Sequence, residues 1–128
     1  MNLLAVKLFW SRFAKLTEAR SAFPYDACVY AQTGPDSKPL RIGKASKGLD
    51  QRYHGGNGYS MDAAMHGSGN LIFVASVDKD QCKLVEDELI WQGRKVLIYN
   101  NVGKIMPPSF RLTITHCGDS PDFSEFEP

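Results

Sequence analysis

The chain is predicted to fold as an α+β domain, a small antiparallel sheet of about three strands flanked by helices. Three observations predict it. Two short apolar segments, Asp26–Gln32 and Pro39–Lys44, are separated by Gly34-Pro35-Asp36-Ser37, the residue types that close a hairpin. The run from Asn70 to Val77 is apolar almost throughout and bounded by polar residues, as a buried strand is. After it, Cys82, Val85 and Leu89 recur at helical spacing in a stretch from Lys79 to Gln92 that Asp78 can cap and Gly93 can stop.

The remaining elements follow in order. Leu4, Leu8 and Phe13, with Trp10 and Leu16 nearby, suggest an N-terminal helix over Asn2–Arg20, ended by Pro24. Lys47–His54 reads as a short helix broken by Gly55-Gly56-Asn57-Gly58, and Ser60–His66 as another, with Ser60 as N-cap and Gly67 as stop. Val96–Tyr99 is a short extended run, Pro107-Pro108 marks a loop, and Phe110–Thr115 is a last strand or an ordered arm. The organisation expected is a helical extension over 1–24, one domain over 25–118 ending in an arm, and an acidic, disordered tail over 119–128.

With 128 residues there is room for one domain and not for two. No apolar run approaches the roughly 20 residues of a membrane span, so no membrane role is expected. Met1–Phe9 is apolar but interrupted by Lys7 and lacks a small-residue cleavage site, and it is read as mature protein. Cys28, Cys82 and Cys117 lack metal-ligand spacing; they are expected to be thiols in a reducing cytoplasm, the first two buried. The net charge of +1 hides an asymmetry: without Asp119, Asp122, Glu125 and Glu127, residues 1–118 carry +5. Lys38, Arg41, Lys44, Lys47 and Arg52 stand against Asp50 alone within 38–54, a basic strip that suits a phosphate backbone, although solvated faces of this size are common.

Several polar residues occur in an order that carries chemistry. Cys28-Val29-Tyr30 and Arg41-Ile42-Gly43 end the two hairpin strands, Arg52 follows on a short helix, Glu86 with Leu89 and Ile90 sits on the long helix, and Tyr99-Asn100 follows. Taken together over residues 25–102, this set resembles the GIY-YIG endonuclease family. The resemblance implies metal-assisted cleavage of nucleic-acid phosphodiesters, DNA more than RNA. Phosphodiester cleavage needs an activated water, positive charge on the pentavalent phosphate and help for the leaving oxygen. Mg²⁺ or Mn²⁺ would supply much of that, held by Glu86 and substrate oxygens.

The roles implied are as follows. Tyr30 orients or deprotonates the attacking water; Arg52 grips phosphate oxygens. Asn100 braces the site, and Gly43 allows close backbone approach. His54 serves as base or phosphate ligand, a role His66 could also fill. Lys44, Lys47, His66 and Lys104 meet the nucleic-acid backbone. A mid-helix glutamate is ordinarily a surface residue. At about 100° per residue, however, Glu86 lies nearer the apolar stripe than Asp87 or Glu88, at the edge of the buried face.

Three departures stand out. The first motif keeps only its tyrosine, Arg41 stands where the family has its second tyrosine, and Arg52 lies one residue further from Gly43 than is usual. Arg41 either abolishes catalysis or takes it over, by activating Tyr30 or binding phosphate. The joint survival of the other polar positions favours the active reading. The alternatives are an inactive nucleic-acid-binding or protein-interaction module, or an interaction domain docking through Leu4, Leu8, Trp10 and Phe13 of the N-terminal helix. A homodimer would serve double-strand cleavage.

Overall fold

The computed structural model describes residues 4–52 and 69–128, and for Gln51 and Arg52 the backbone alone. Strands β1 (Leu4–Phe13), β2 (Cys28–Thr33), β3 (Pro39–Ala45), β4 (Leu71–Ser76) and β5 (Leu112–Gly118) form one sheet in the order β3-β2-β4-β1-β5. Among the described residues the helices are α1 (Leu16–Ala22), α2 (Leu49–Arg52) and α3 (Cys82–Gln92), the last preceded by a 3₁₀ turn at Lys79–Gln81. The α+β class is as expected, but the sheet has five strands, and it is mixed: β1 pairs antiparallel with β4 and parallel with β5.

The extra strands come from segments read otherwise in the sequence. Residues 4–13 form a strand, not the first half of a helix. Leu4 and Leu8 suit a helical repeat, but Val6, Leu8 and Trp10 also alternate with Lys7 and Phe9, and β-branched and aromatic residues favour the extended form. The ladder decides between the two periods: β1 finds four paired positions on β4 and seven on β5. Leu8 and Trp10 enter the core, and no N-terminal helix presents Leu4, Leu8, Trp10 and Phe13 together. The helix that does form there, α1, begins where the Lys15 amide donates to Glu18 Oε1.

The two sheet faces carry separate cores. On one, Val29, Ala31, Ile42, Phe73, Ala75, Leu8 and Trp10 pack with Val85, Leu89 and Ile90 of α3. On the other, Cys28, Tyr30, Ala45, Ile72 and Val74 pack with Ala19 of α1 and Leu49 of α2. Gly48 seats α2: its φ is +95°, and a Cβ there would lie 2.2 Å from the Pro24 carbonyl oxygen.

Glu88, not Glu86, is the deeply buried carboxylate of α3. The buried arc of this helix is wider than the Cys82–Val85–Leu89 stripe because residues 111–112 cover its flank. Glu88 accepts from Arg111 Nε and Nη2 at 2.8 and 2.9 Å, from the Leu112 amide at 3.0 Å and from Gln92 Nε2 at 3.0 Å. Burial alone would raise its pKa, but these donors outweigh that and hold it below the usual carboxylate value.

Residues 119–128 are not a detached tail. They form a strap in which the Asp122 amide donates to the Ser37 carbonyl and the Glu127 amide to the Gln92 carbonyl. Phe123 stacks on His116 with ring centroids 4.0 Å apart, and Phe126 meets Phe123 edge-on. The acids line the rim of the strap, where Glu125 pairs with Lys38 and Glu127 with Lys95. Beneath it, Trp10 Nε1 donates to His116 Nδ1 at 3.0 Å, and burial lowers the His116 pKa from 6.5 to about 4.

Two predictions follow from these contacts. Arg111→Met leaves a buried carboxylate short of its main partner and costs about 3 kcal/mol of unfolding free energy, read from urea midpoints; adding Glu88→Gln to the same chain recovers part of the loss. For His116 the unfolded chain takes up the proton first, so its contribution is complete above about pH 6.5 and disappears as pH falls toward about 4. The urea midpoint therefore drops between pH 7 and pH 5, and His116→Phe, which keeps a ring on Phe123 but cannot take up a proton, shows a smaller drop over the same interval.

Candidate nucleic-acid site at the edge strand

The hairpin forms as expected. Tyr30 lies opposite Gly43 and Gln32 opposite Arg41, so all four share one face of the sheet. The pairing of Tyr30 with Gly43 is a close contact. A Cβ on Gly43 would fall 2.4 Å from both Cζ and Oη of Tyr30, so the phenol ring lies directly over the glycine backbone. Tyr30 is fully buried there, with Ala19, Leu49 and Ile72 around it. Gln32, which the motif reading did not single out, is also buried on this face; strand alternation from Tyr30 would have found it.

Asn100 braces the edge strand. Its Oδ1 accepts the Ile42 amide and its Nδ2 donates to the Ile42 carbonyl, both at 2.9 Å, and the Tyr99 amide donates to the Leu40 carbonyl. One buried side chain thus satisfies both outward backbone groups of Ile42, between Arg41 and Gly43, in the manner of a further strand.

Other candidates are dispersed. Alternation sends Arg41 and Lys44 to opposite faces, so the basic strip of the sequence does not form a single surface. Lys38, at the turn, is engaged with Glu125 at 3.0 Å. Lys47 is exposed beside α2, and Lys104 Nζ donates to the Leu97 carbonyl at the base of a loop. Arg52 ends α2 on the Tyr30 side; its side chain, His54, His66 and the Ser60–His66 helix lie outside the described residues.

Glu86 is half-exposed on α3, which packs on the face opposite Tyr30. Its neighbourhood is defined by Cys82: burial raises that thiol's pKa, the Lys44 charge pulls it back, and Glu86, Asp78 and Asp80 push it up. By strand alternation Lys44 turns to the α3 side of the sheet, and Tyr30, Gly43 and Arg41 to the other. The two groups therefore lie on opposite faces of the sheet. Among the described residues, no three His, Cys, Asp or Glu side chains gather as a metal cluster, so a cation here would rest on Glu86, substrate oxygens and water.

Cys28 and Cys82 are buried free thiols, and burial, with the Cys82 and Asp26 charges, pushes Cys28 up to about 12. Among the described residues no helix is long and apolar enough to cross a membrane. Comparisons with models of known protein families, with curated proteins and with solved structures found no match to this chain.

The packing of Tyr30 on Gly43 makes a direct prediction. Gly43→Ala costs about 1–3 kcal/mol of stability, because ring and backbone must separate. In a Tyr30→Ala background the same change costs much less, and paired urea denaturation curves measure that coupling.

Proposed function

We propose that this protein is a metal-dependent endonuclease of the GIY-YIG kind, hydrolysing phosphodiester bonds in DNA. The observation that carries the reading is the Tyr30–Gly43 pairing with Arg41 on the same face and Asn100 clamped on Ile42 between them. Residues 13 and 70 positions apart in sequence, singled out because they resemble one family's motifs, meet around a single edge strand.

In this reading the scissile phosphate lies along the outer side of β3. Arg41 and Arg52 hold its oxygens and stabilise developing charge, as a guanidinium does for a pentavalent phosphate. Lys44 and Lys47 hold the flanking backbone. Glu86 would hold Mg²⁺ or Mn²⁺, which when bound supplies Lewis-acid charge and a more acidic water. Tyr30 would reach the attacking water only by turning out from its packed position over Gly43, and Asn100 keeps β3 rigid without reacting.

A second reading rests on a specific observation. Tyr30 is fully buried, and α3 packs on the opposite face. A tyrosine held in that way suits a scaffold that binds nucleic acid without cutting it, with Arg41 in place of a reactive tyrosine.

Plasmid nicking separates the two. With Mg²⁺ or Mn²⁺ the wild-type chain nicks supercoiled DNA, EDTA stops it, and Glu86→Ala and Tyr30→Phe each lower the rate by about 100-fold or more. Binding without cleavage of supercoiled, branched or single-stranded substrates supports the non-cutting scaffold. In that case Arg41→Tyr, which restores the family's residue, gains activity; in the nuclease it loses activity.

A further inference from the structure

The two edges of the sheet are finished differently. On β3 the outward backbone groups of Ile42 are taken by Asn100, and the Leu40 carbonyl by the Tyr99 amide. β5 has no such brace along its middle among the described residues. Proteins usually blunt an open edge with lysine, proline, a bulge or a very short strand. β5 reads Leu-Thr-Ile-Thr-His-Cys-Gly, with neither lysine nor proline, and pairs with β1 over seven consecutive positions without a register shift.

Alternation fixes which backbone groups face outward. The Asp119 amide donates to the Trp10 carbonyl, so the odd-numbered residues of this strand turn their amides and carbonyls toward β1 and the even-numbered ones turn theirs away. Two of the outward groups are already satisfied within the chain. The Leu112 amide donates to Glu88 and the Gly118 carbonyl accepts the Ser120 amide, both at 3.0 Å. Among the described residues, nothing bonds the outward amides and carbonyls of Ile114 and His116, the Leu112 carbonyl or the Gly118 amide.

That pattern complements itself. When two β5 strands lie antiparallel about Thr115, Ile114 faces His116 of the second copy and Leu112 faces its Gly118. Ile114 and His116 exchange both of their bonds, and the Gly118 amide meets the Leu112 carbonyl. The one bond missing from this register joins the Leu112 amide to the Gly118 carbonyl, the two groups the chain has already satisfied. A foreign strand would instead set its own free carbonyl and amide against those occupied groups, and leave them without partners. The ends of the strand agree in charge. Arg111 gives Nε and Nη2 to Glu88, keeps Nη1 and a side chain 33% exposed, and faces Asp119 of the second copy, which is exposed and in no ion pair among the described residues. On the solvent face Thr115 meets its own copy as a non-hydrogen-bonded pair, the closer kind, and threonine pairs so placed are favourable.

We propose that β5 is the docking edge for a second copy of this chain, which pairs with it antiparallel about Thr115 and joins the two sheets into one. The pairing does not depend on the chemistry at β3, and it leaves both β3 edges at the outer ends of the joint sheet. A contact of one short strand on each side is small beside a standard interface, so the dimer is reversible and assembles with rising concentration.

Sedimentation velocity of the full chain over a concentration series reads the assembly. Wild-type protein moves from the monomer toward the dimer value as concentration rises. Thr115→Lys sets two like charges against each other at the axis, on the exposed side of the strand; it stays monomeric across the series while its circular dichroism matches wild type. Crosslinking fixes the register independently. Under mild oxidation Thr115→Cys/Cys117→Ser gives a disulfide-linked dimer, whereas Thr113→Cys/Cys117→Ser does not, because Thr113 faces residue 117 of the second copy and not itself. A wild-type chain that stays monomeric at the highest concentration overturns the proposal. So does a dimer that Thr115→Lys leaves intact, or crosslinking at residue 113 in preference to 115. Failure of the nicking assay retires the nuclease and leaves the paired edge standing, whereas nicking by a monomer retires only the pairing.

Discussion

A single buried carboxylate organises one side of this molecule. Glu88 has no access to solvent, and a charge removed from water must find charge-assisted partners or lose its proton. It finds Arg111, the Leu112 amide and Gln92. Those partners belong to α3, to the first residue of β5 and to Arg111 just before it, so satisfying one side chain joins the helix to the last strand. β5 then lies along β1 for seven residues, and β1 passes the pairing on to β4. Replacing the ion pair with apolar groups could be equally stable; a half-satisfied pair could not be, and that difference fixes where β5 begins.

The opposite edge of the sheet meets a different constraint. β3 has one free side, and exposed strand edges invite unwanted pairing. Asn100 resolves this locally by bonding both outward groups of Ile42. In doing so it ties the connection after α3 to the strand that carries Arg41 and Gly43. The proposed chemistry at β3 therefore rests on an anchor that the connection after α3 supplies. Tyr30 has a packing role whatever its chemistry, since its ring fills the space that Gly43 leaves vacant. A residue that serves both packing and reactivity is constrained twice, and the burial observed here reflects the packing constraint.

Legibility in the sequence followed the range of the interaction. The hairpin, β4 and most of α3 were readable because turn chemistry, apolar runs and a helical stripe act over a few residues. The parity that places Tyr30, Gly43 and Arg41 on one face was equally local. β1 was misread because Leu4 and Leu8 satisfy a helical repeat while Val6, Leu8 and Trp10 satisfy a strand repeat, and the arbiters are strands β4 and β5, some 60 and 100 residues away. Glu88 was passed over for the same reason: its burial depends on Arg111, 23 residues on, which no periodicity reveals. At the candidate site, Asn100 bonds the backbone of Ile42, whereas Glu86 came to the far face from Tyr30, since which face a helix covers is decided by the whole sheet.

The C-terminal strap shows why charge counting fails at short range. Four acids in ten residues suggest a solvated tail, yet Phe123 and Phe126 are spaced to meet the sheet and each other while the acids turn outward. α3 reaches only part of its face, and no second helix follows to cover Trp10 and His116. The strap supplies that cover with aromatic rings instead of a helix: Phe123 stacks on His116 and contacts Trp10. Lys38, Lys95 and Arg94 then receive the acids at the rim. An irregular segment with two well-placed aromatics thus completes the layer over this part of the sheet.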